Sequence, residues 1–573
     1  MLFKPATPVR NFRLRAAAGL LLLAAAAAGL AAGAPLTLGD LVRQGKRESV
    51  LAAITSPDVD VNAKAPDGST ALMWAVFNVD KELVRALLKA GAKANVTNSY
   101  GATALGEAIK LEDIELVRLL LDAGANVNSP NLDHQTALML AVSMGSPEIA
   151  KLLVERGADV NAIETFRGQN ALMWAAGGNQ PEIVDLLLAH GAKNVNMRAK
   201  SDDWARQMTS EPRAQFQSRQ TGGLTALLYA TRSGCLRCAQ SLVKAGADVN
   251  MPNPDGVTPL INALDNKRYD IAMFLLDKGA NPHTWDMSGR TPIYVAVDVK
   301  TFNAGGGFGT GGGRAGSGND FAGARAAADS TVKADDVIKR LLDMGVDVNH
   351  QLTRKRPYGA GRGRFADYDL RGGVGPLFVA AMRHDHDSIQ ALLAHGAEVD
   401  LPNVFQMTPL MMAVGMSGTG RGAGGQGPPG GASADPQARA IKTVDLLLDA
   451  GADINYRITD SRTHTATLMA YVAGRDQEGR TALFAAAEQG QDRVVKHLLE
   501  RGADASIKDA AGKTALDIAR AVPAGGAAPA GAGAGGPREA AAAAAAAGRA
   551  ATIAVLEAAA AKSALGGATP PVK

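Results

Sequence analysis

Only two cysteines, Cys235 and Cys238, occur in 573 residues, which excludes a disulfide framework and any four-cysteine zinc site. Aromatic residues are scarce too, at 4% of a chain that is 46% apolar, so a core is available but must be built mostly from small aliphatic side chains. Charge of one sign is missing as well. Sixty Lys and Arg face 56 Asp and Glu, and a net charge of +4 over this length is too small for a nucleic-acid footprint. H-E-x-x-H, G-x-S-x-G and carboxylate-rich calcium-loop patterns are absent, so the usual starting points for zinc-peptidase, serine-hydrolase and calcium chemistry are not present.

What is abundant is glycine, 65 residues, and it is not scattered at random. The N-terminus reads first as an export signal. Lys4, Arg10, Arg13 and Arg15 precede nineteen uncharged residues, Ala16 to Ala34, with small residues at Ala31, Gly33 and Ala34 for cleavage. The sequence therefore predicts a signal peptide over 1–34 and a periplasmic or secreted protein. The alternative is an anchor, because nineteen uncharged residues just suffice to span a bilayer. No lipoprotein cysteine and no twin-arginine pair is present.

From residue 36 onward the chain repeats. A T-x-L step begins at Thr70, Thr103, Thr136, Thr225, Thr258, Thr291, Thr408, Thr481 and Thr514, with Asn170 and Gly375 in the same place in two further units. A spacing of 33 residues between neighbouring starts recurs, as from Thr70 to Thr103, Thr225 to Thr258 and Thr481 to Thr514. Alanine follows five residues after every start, from Ala75 to Ala519, and a side chain held that small marks a helix packed closely on its neighbour. Glycine follows twenty-one after the start of each uninterrupted full unit, as at Gly91, Gly124 and Gly157, where a helix stop is expected. Each unit reads as a short helix, a turn, a second amphipathic helix, and an extended return such as Ala-Asp-Val-Asn.

With its length of 33, its T-[PA]-L-x-x-A helix start and its G-A-[DN]-[VI]-N return, the chain resembles the ankyrin-repeat family, here in an exported, bacterial-type form. The resemblance implies an all-α solenoid of helix-turn-helix units with β-hairpin fingers. Such a unit cannot bury its apolar face alone, and stacking supplies the core. One departure stands out. The histidine usual after T-P-L is replaced by Met73, Gly106, Met139, Met173, Leu228, Ile261, Tyr294, Phe378, Met411 and Phe484, so the loops lean on apolar packing.

The spacing locates five interruptions. Three lie in fingers, where the glycine-to-start gap of 12 grows to 34, 30 and 30; two lie between the helices of one unit, where the gap of 21 grows to 54 and 43. The predicted organisation is a signal or anchor at 1–34, an N-terminal capping repeat at 35–66, and repeats 1 to 4 at 67–196. A finger insertion follows at 197–221, repeats 5, 6 and the first helix of 7 at 222–298, a glycine-rich insertion at 299–333, and the rest of repeat 7 at 334–349. Next come a basic, aromatic finger insertion at 350–373, repeats 8 and 9 at 374–455 with a glycine-rich insertion at 416–439, and a finger insertion at 456–477. Repeat 10 and a partial repeat at 478–520 precede an Ala/Gly/Pro-rich tail at 521–573 with a helix over 539–562.

The two glycine-rich insertions read as linkers, whereas the finger insertions mix arginine with aromatics, the composition that partner surfaces favour. Candidate partner-binding residues are therefore Trp204, Tyr358, Arg362, Arg364, Phe365 and Tyr368 in the insertions, with Tyr100, Phe166, Trp285 and Phe405 in regular fingers. In the family the resemblance implies, fingers and the inner face of the first helices form a concave binding groove. That adds Trp74, Trp174 and Tyr229, for which packing between units is the competing role.

Other motifs carry no chemistry. Gly307-x-Gly309-x-x-Gly312 fits the dinucleotide pattern but sits in a glycine tract without the strand and helix the fingerprint needs. Cys238 occupies a slot filled elsewhere by Leu83, Leu116 and Ile149, where cysteine acts as a small hydrophobe; a local disulfide with Cys235 is the alternative. His384 and His386 lack a third convergent metal ligand. The expectation is a non-catalytic, monomeric protein-binding scaffold with no cofactor and no metal. It engages no nucleic acid and meets a membrane only through an uncleaved N-terminus. The alternative is an accessory, regulatory or immunity-like subunit of a periplasmic enzyme.

Overall fold

Threonine begins most of the repeats' first helices for a local reason. Its side-chain oxygen accepts the N–H of the third helical residue, as Thr70 does from Met73, Thr103 from Gly106 and Thr225 from Leu228; Asn170 does the same from Met173. The computed structural model describes residues 37–201, 222–301, 331–353, 372–416, 435–459, 477–521 and 537–566. The described chain falls into two units, one holding 37–201 and 222–254 and the other 255–566.

The first unit contains α1 (Leu38–Arg43), α2 (Arg47–Ala53), α3 (Ala71–Phe77), α4 (Lys81–Lys89), α5 (Ala104–Lys110), α6 (Ile114–Asp122), α7 (Ala137–Met144), α8 (Pro147–Glu155), α9 (Ala171–Gly177), α10 (Pro181–Ala189), α11 (Ala226–Ser233) and α12 (Leu236–Lys244). First helices pack on first helices (α1, α3, α5, α7, α9, α11), and second helices pack on second helices. The alanine five residues into each repeat is completely or almost completely buried, from Ala75 to Ala230. The residues that replace the usual histidine are buried too: Met73, Met139, Met173 and Leu228 lie in the core, as the apolar-packing expectation requires.

The second unit contains α13 (Pro259–Asp265), α14 (Tyr269–Asp277), α15 (Pro292–Thr301), α16 (Ala334–Asp343), α17 (Pro376–Met382), α18 (His386–Ala394), α19 (Pro409–Ala413), α20 (Pro436–Asp449), α21 (Ala482–Glu488), α22 (Asp492–Glu500), α23 (Ala515–Ala521) and α24 (Pro537–Gly566). Tyr294, Phe378 and Phe484 are its largest fully buried side chains. α20 starts at Pro436, inside the segment read as insertion 416–439, because Asp435 caps it by accepting the Ala438 N–H and proline suits the first helical position. α24 lies against α22 and α23, with Thr552 and Leu556 buried.

Second helices stop at glycines in the left-handed region, Gly91 at φ 91° and Gly246 at φ 92° among them. The turn between the two helices needs a left-handed residue as well. Gly145, Gly234 and Gly490 supply it without strain, whereas Val79 adopts it at φ 57°, a costly choice for a β-branched residue.

Fingers are short antiparallel turns closed by single bridges, such as Thr97 with Thr103 and Ile163 with Asn170. They stack tip to tip through the backbone: the Ser99 N–H donates to the Asp67 carbonyl at 2.9 Å, Thr165 to Asp133 at 3.1 Å, and in the second unit Met287 to Asp255 at 2.9 Å. No helix among the described residues is long and apolar enough to cross a membrane; residues 16–34 lie outside them.

Candidate functional site

In the uninterrupted fingers the tip turns around a side-chain oxygen that collects its amides. Asn98 Oδ1 accepts from the N–H groups of Tyr100 and Ala102 at 3.0 and 2.9 Å, and Asn131 Oδ1 from Asp133 and Gln135 at 3.0 and 2.9 Å. In the fourth finger a buried carboxylate does this work. Glu164 accepts from Phe166 at 2.7 Å and from Arg167 and Gln169 at 2.8 Å. With the polar groups of the turn satisfied inward, the side chains on its outer side have no core to enter.

The result in the first unit is a row of apolar residues on successive tips. Tyr100 is 61% exposed, Leu132 70% and Phe166 72%, with Ile163 exposed beside the last. Single exposed apolar residues need no explanation, but one per finger on consecutive fingers is a patterned surface. Tyr100 and Phe166 were expected from the sequence; Leu132 and Ile163 were missed because they are aliphatic, although their place in the repeat register marks them.

The tip row continues into a polar–aromatic relay. Gln169 Oε1 accepts from Trp174 Nε1 at 2.9 Å, and Gln169 Nε2 donates to the Tyr229 hydroxyl. The Arg232 guanidinium lies over the Tyr229 ring at 5.0 Å, and that of Arg167 over Phe166 at 5.8 Å. Both arginines are exposed, and neither pairs with a carboxylate among the described residues. Lys200, on the next finger, donates to the Thr165 carbonyl at 2.6 Å. Trp74 differs from Trp174 and Tyr229, which are half-buried: it is only 8% exposed and packs edge-on to Phe77 at 5.8 Å, a core residue.

In the second unit Trp285 is 58% exposed, and its ring stacks on His350 at 5.3 Å. Asp286 beside it receives the N–H groups of Ser288 and Arg290, and its other oxygen binds Arg290 Nε at 2.7 Å. Phe405 is half-buried, so it offers less surface than the other finger aromatics. Trp204, Tyr358, Arg362, Arg364, Phe365 and Tyr368 lie outside the described residues, as does the glycine motif at 307–312.

The two motifs with chemical potential have structural partners. Cys235 and Cys238 are bonded to each other, both buried, at the start of α12, so the pair is a local disulfide and not a pair of free thiols. His384 Nδ1 and His386 Nε2 both meet the Thr443 hydroxyl of α20, at 2.9 and 3.1 Å. Burial, with Arg439 and His386 nearby, pushes His384 down to about 4, and burial pushes His386 down as well, so both imidazoles are neutral at pH 7. No group of three or more His, Cys, Asp or Glu among the described residues is arranged to hold a metal.

Profiles described as ankyrin repeats match residues 38–131, 124–199, 199–286 and 227–302, with further ankyrin-repeat profiles at 377–419 and 472–519, together more than half of the chain. Among curated proteins, the RelA-associated inhibitor of Mus musculus is 40% identical over 74 residues, 13% of this chain and 9% of that protein. Protein phosphatase 1 regulatory subunit 27 of Homo sapiens is 40% identical over 70 residues, 12% of this chain and 46% of the relative. A putative ankyrin repeat-containing protein of Treponema pallidum is 34% identical over 96 residues, 17% of this chain and 32% of the relative. The chain thus spans from about a tenth to under half of the length of these relatives. The crystal structure of the ankyrin repeat domain of Bcl-3 aligns with 42% of this chain and 99% of its own at 29% identity and a TM-score of 0.34. Profile coverage, the 33-residue unit and its Thr cap, buried alanine and glycine stop converge on one conclusion: the chain belongs to the ankyrin-repeat family.

Proposed function

We propose that this protein is an exported, non-catalytic scaffold that binds a partner protein across its fingertips and the inner face of its first helices. The observation that carries the reading is the row Tyr100, Leu132 and Phe166 on consecutive fingers, each more than half exposed. Arg167 and Arg232, stacked on Phe166 and Tyr229 and without carboxylate partners among the described residues, favour a partner segment that presents acidic groups beside an apolar side chain. The names of the relatives, an inhibitor and a phosphatase regulatory subunit, are those of proteins that act on other proteins, which supports a binding role. Export rests on the sequence of residues 1–34 and fits the Cys235–Cys238 disulfide, a bond that persists in oxidising compartments.

Two experiments test this. Cell fractionation with N-terminal sequencing of the mature chain decides export: a cytoplasmic chain that keeps Met1 overturns it. Affinity capture from the envelope fraction, repeated with a Tyr100→Ser, Leu132→Ser, Phe166→Ser variant, decides the surface. Loss of the captured partner with an unchanged far-UV spectrum supports the finger face, and undiminished capture refutes it.

A further inference from the structure

The side chain that ends each G-A-x-V-N return closes the junction to the next repeat. Asn62, Asn95, Asn128, Asn161 and Asn196 in the first unit, and Asn349 and Asn455 in the second, all use both ends of the amide. Nδ2 donates to the carbonyl of the next repeat's stop glycine, at 3.1 Å from Asn62 to Gly91 and from Asn349 to Gly396. Oδ1 accepts the N–H two residues beyond that glycine, from Lys93 at 2.7 Å and from Glu398 at 2.8 Å. The other five repeat the pattern.

At one junction the residue is Asp400. Its Oδ2 accepts the N–H of Asp453 at 2.8 Å, two residues beyond Gly451, in the same register as the asparagines. By that register Oδ1 takes the part of the amide nitrogen, and it is buried without a hydrogen-bond partner. An ionised carboxylate is acceptor-only, so in this register it offers the Gly451 carbonyl no donor where the seven asparagines each offer one. A carboxylic acid has the shape of the amide and supplies the missing donor.

We propose that Asp400 is a pH-sensitive latch: protonated, it donates from Oδ1 to the Gly451 carbonyl and closes the junction as asparagine does elsewhere, and on ionisation it loses that bond and loosens the junction. The surroundings favour the acid. Burial pushes Asp400 above the ordinary carboxylate range, the Asp453 N–H pulls it back, and the Asp453 charge pushes it up again. On the facing finger Tyr456 is itself raised, by burial and then by Asp400 and Asp453. Arg457 donates to the Lys508 carbonyl at 3.1 Å. Glu398, on Asp400's own return, adds a second acid, and no cation among the described residues pairs with Asp400. Because the folded value lies above the unfolded one, the latch contributes fully at low pH and is lost as pH rises through the folded value. This inference is independent of the partner-binding reading.

Hydrogen exchange of the full chain, corrected for intrinsic rates, tests it over the segment 449–455 between about pH 4 and pH 8. Asp400→Asn supplies a permanent donor of the kind used at those seven junctions. Relative to that variant, the wild-type segment is expected to lose about three- to tenfold of its protection as pH rises, the worth of one hydrogen bond. The reciprocal Asn349→Asp should create the same loss around 396–398. Parallel wild-type and Asp400→Asn profiles at every pH, a less protected Asp400→Asn, or an Asn349→Asp chain with no pH dependence overturns the proposal.

Discussion

Replacing Arg290 by alanine tests how the finger that carries Trp285 is held. Arg290 is almost fully buried and binds two carboxylates: Nε meets Asp286 Oδ2 at 2.7 Å, and Nη1 and Nη2 meet the two oxygens of Asp265 at 2.7 and 3.0 Å. The two acids are not equivalent. The Asp265 side chain is 27% exposed and can rehydrate, whereas that of Asp286 is 2% exposed and cannot. Breaking a buried ion pair by removing one partner costs about 3 to 5 kcal/mol. Asp286 keeps two backbone N–H donors on Oδ1, from Ser288 and residue 290, which places Arg290→Ala at the lower end, about 3 kcal/mol. Removing the buried charge on both sides, with Arg290→Met and Asp286→Asn together, leaves only Asp265 unpaired, whose side chain is 27% exposed and can rehydrate, and should return to within about 1 kcal/mol of the wild type. The measurement is the local opening free energy of residues 284–295 by hydrogen exchange, because a stacked-repeat chain need not unfold in one step. A cost under about 1 kcal/mol for Arg290→Ala, or a double variant as unstable as the single one, refutes the argument.

Four further outcomes follow from the same geometry. Trp74→Ala should destabilise by about 3 to 5 kcal/mol in denaturant titrations, because it empties a core site, while Phe166→Ala should change stability by less than about 0.5 kcal/mol. Val79→Gly should stabilise by about 0.5 to 1 kcal/mol in the same titration, since it relieves a left-handed β-branched residue at a turn position that other repeats give to glycine. Protein denatured without reductant should show no reactive thiol in alkylation mass spectrometry, and reduction should cost about 2 kcal/mol for so short a loop; two labelled cysteines before reduction would contradict the bonded pair. His384, held neutral at about 4 against an ordinary 6.5, should lose about 2 to 3 kcal/mol of stabilisation as pH falls from 6.5 to 4, full above that range and absent below it; His384→Gln should flatten that stretch of the pH–stability curve.

The repeat itself was legible in the sequence because it is made of local rules. A capping threonine, an alanine five residues on and a glycine stop each act within one helix or on the next one, so a period of 33 suffices to place them. The exposure of Tyr100, Phe166 and Trp285 was also readable, since a fingertip has little core to enter. Phe405 carried the same signal and is half-buried, and Trp74 shares the helix position of Trp174 yet packs into the core, because burial depends on what the neighbouring repeat presents.

The sequence by itself therefore determined the unit, its stacking and the side from which the fingers project, all set by contacts within one repeat or between adjacent ones. Only the tertiary structure decided which individual groups are satisfied. The hydroxyl that His384 and His386 share is 59 and 57 residues away, across an insertion. The partner of Asp400 Oδ2 is 53 residues on, and nothing in the composition of its return distinguishes a satisfied carboxylate from one with an oxygen left over. Hydrogen-bond satisfaction is a property of a buried pair in three dimensions, and the pair exists only once the repeats have stacked.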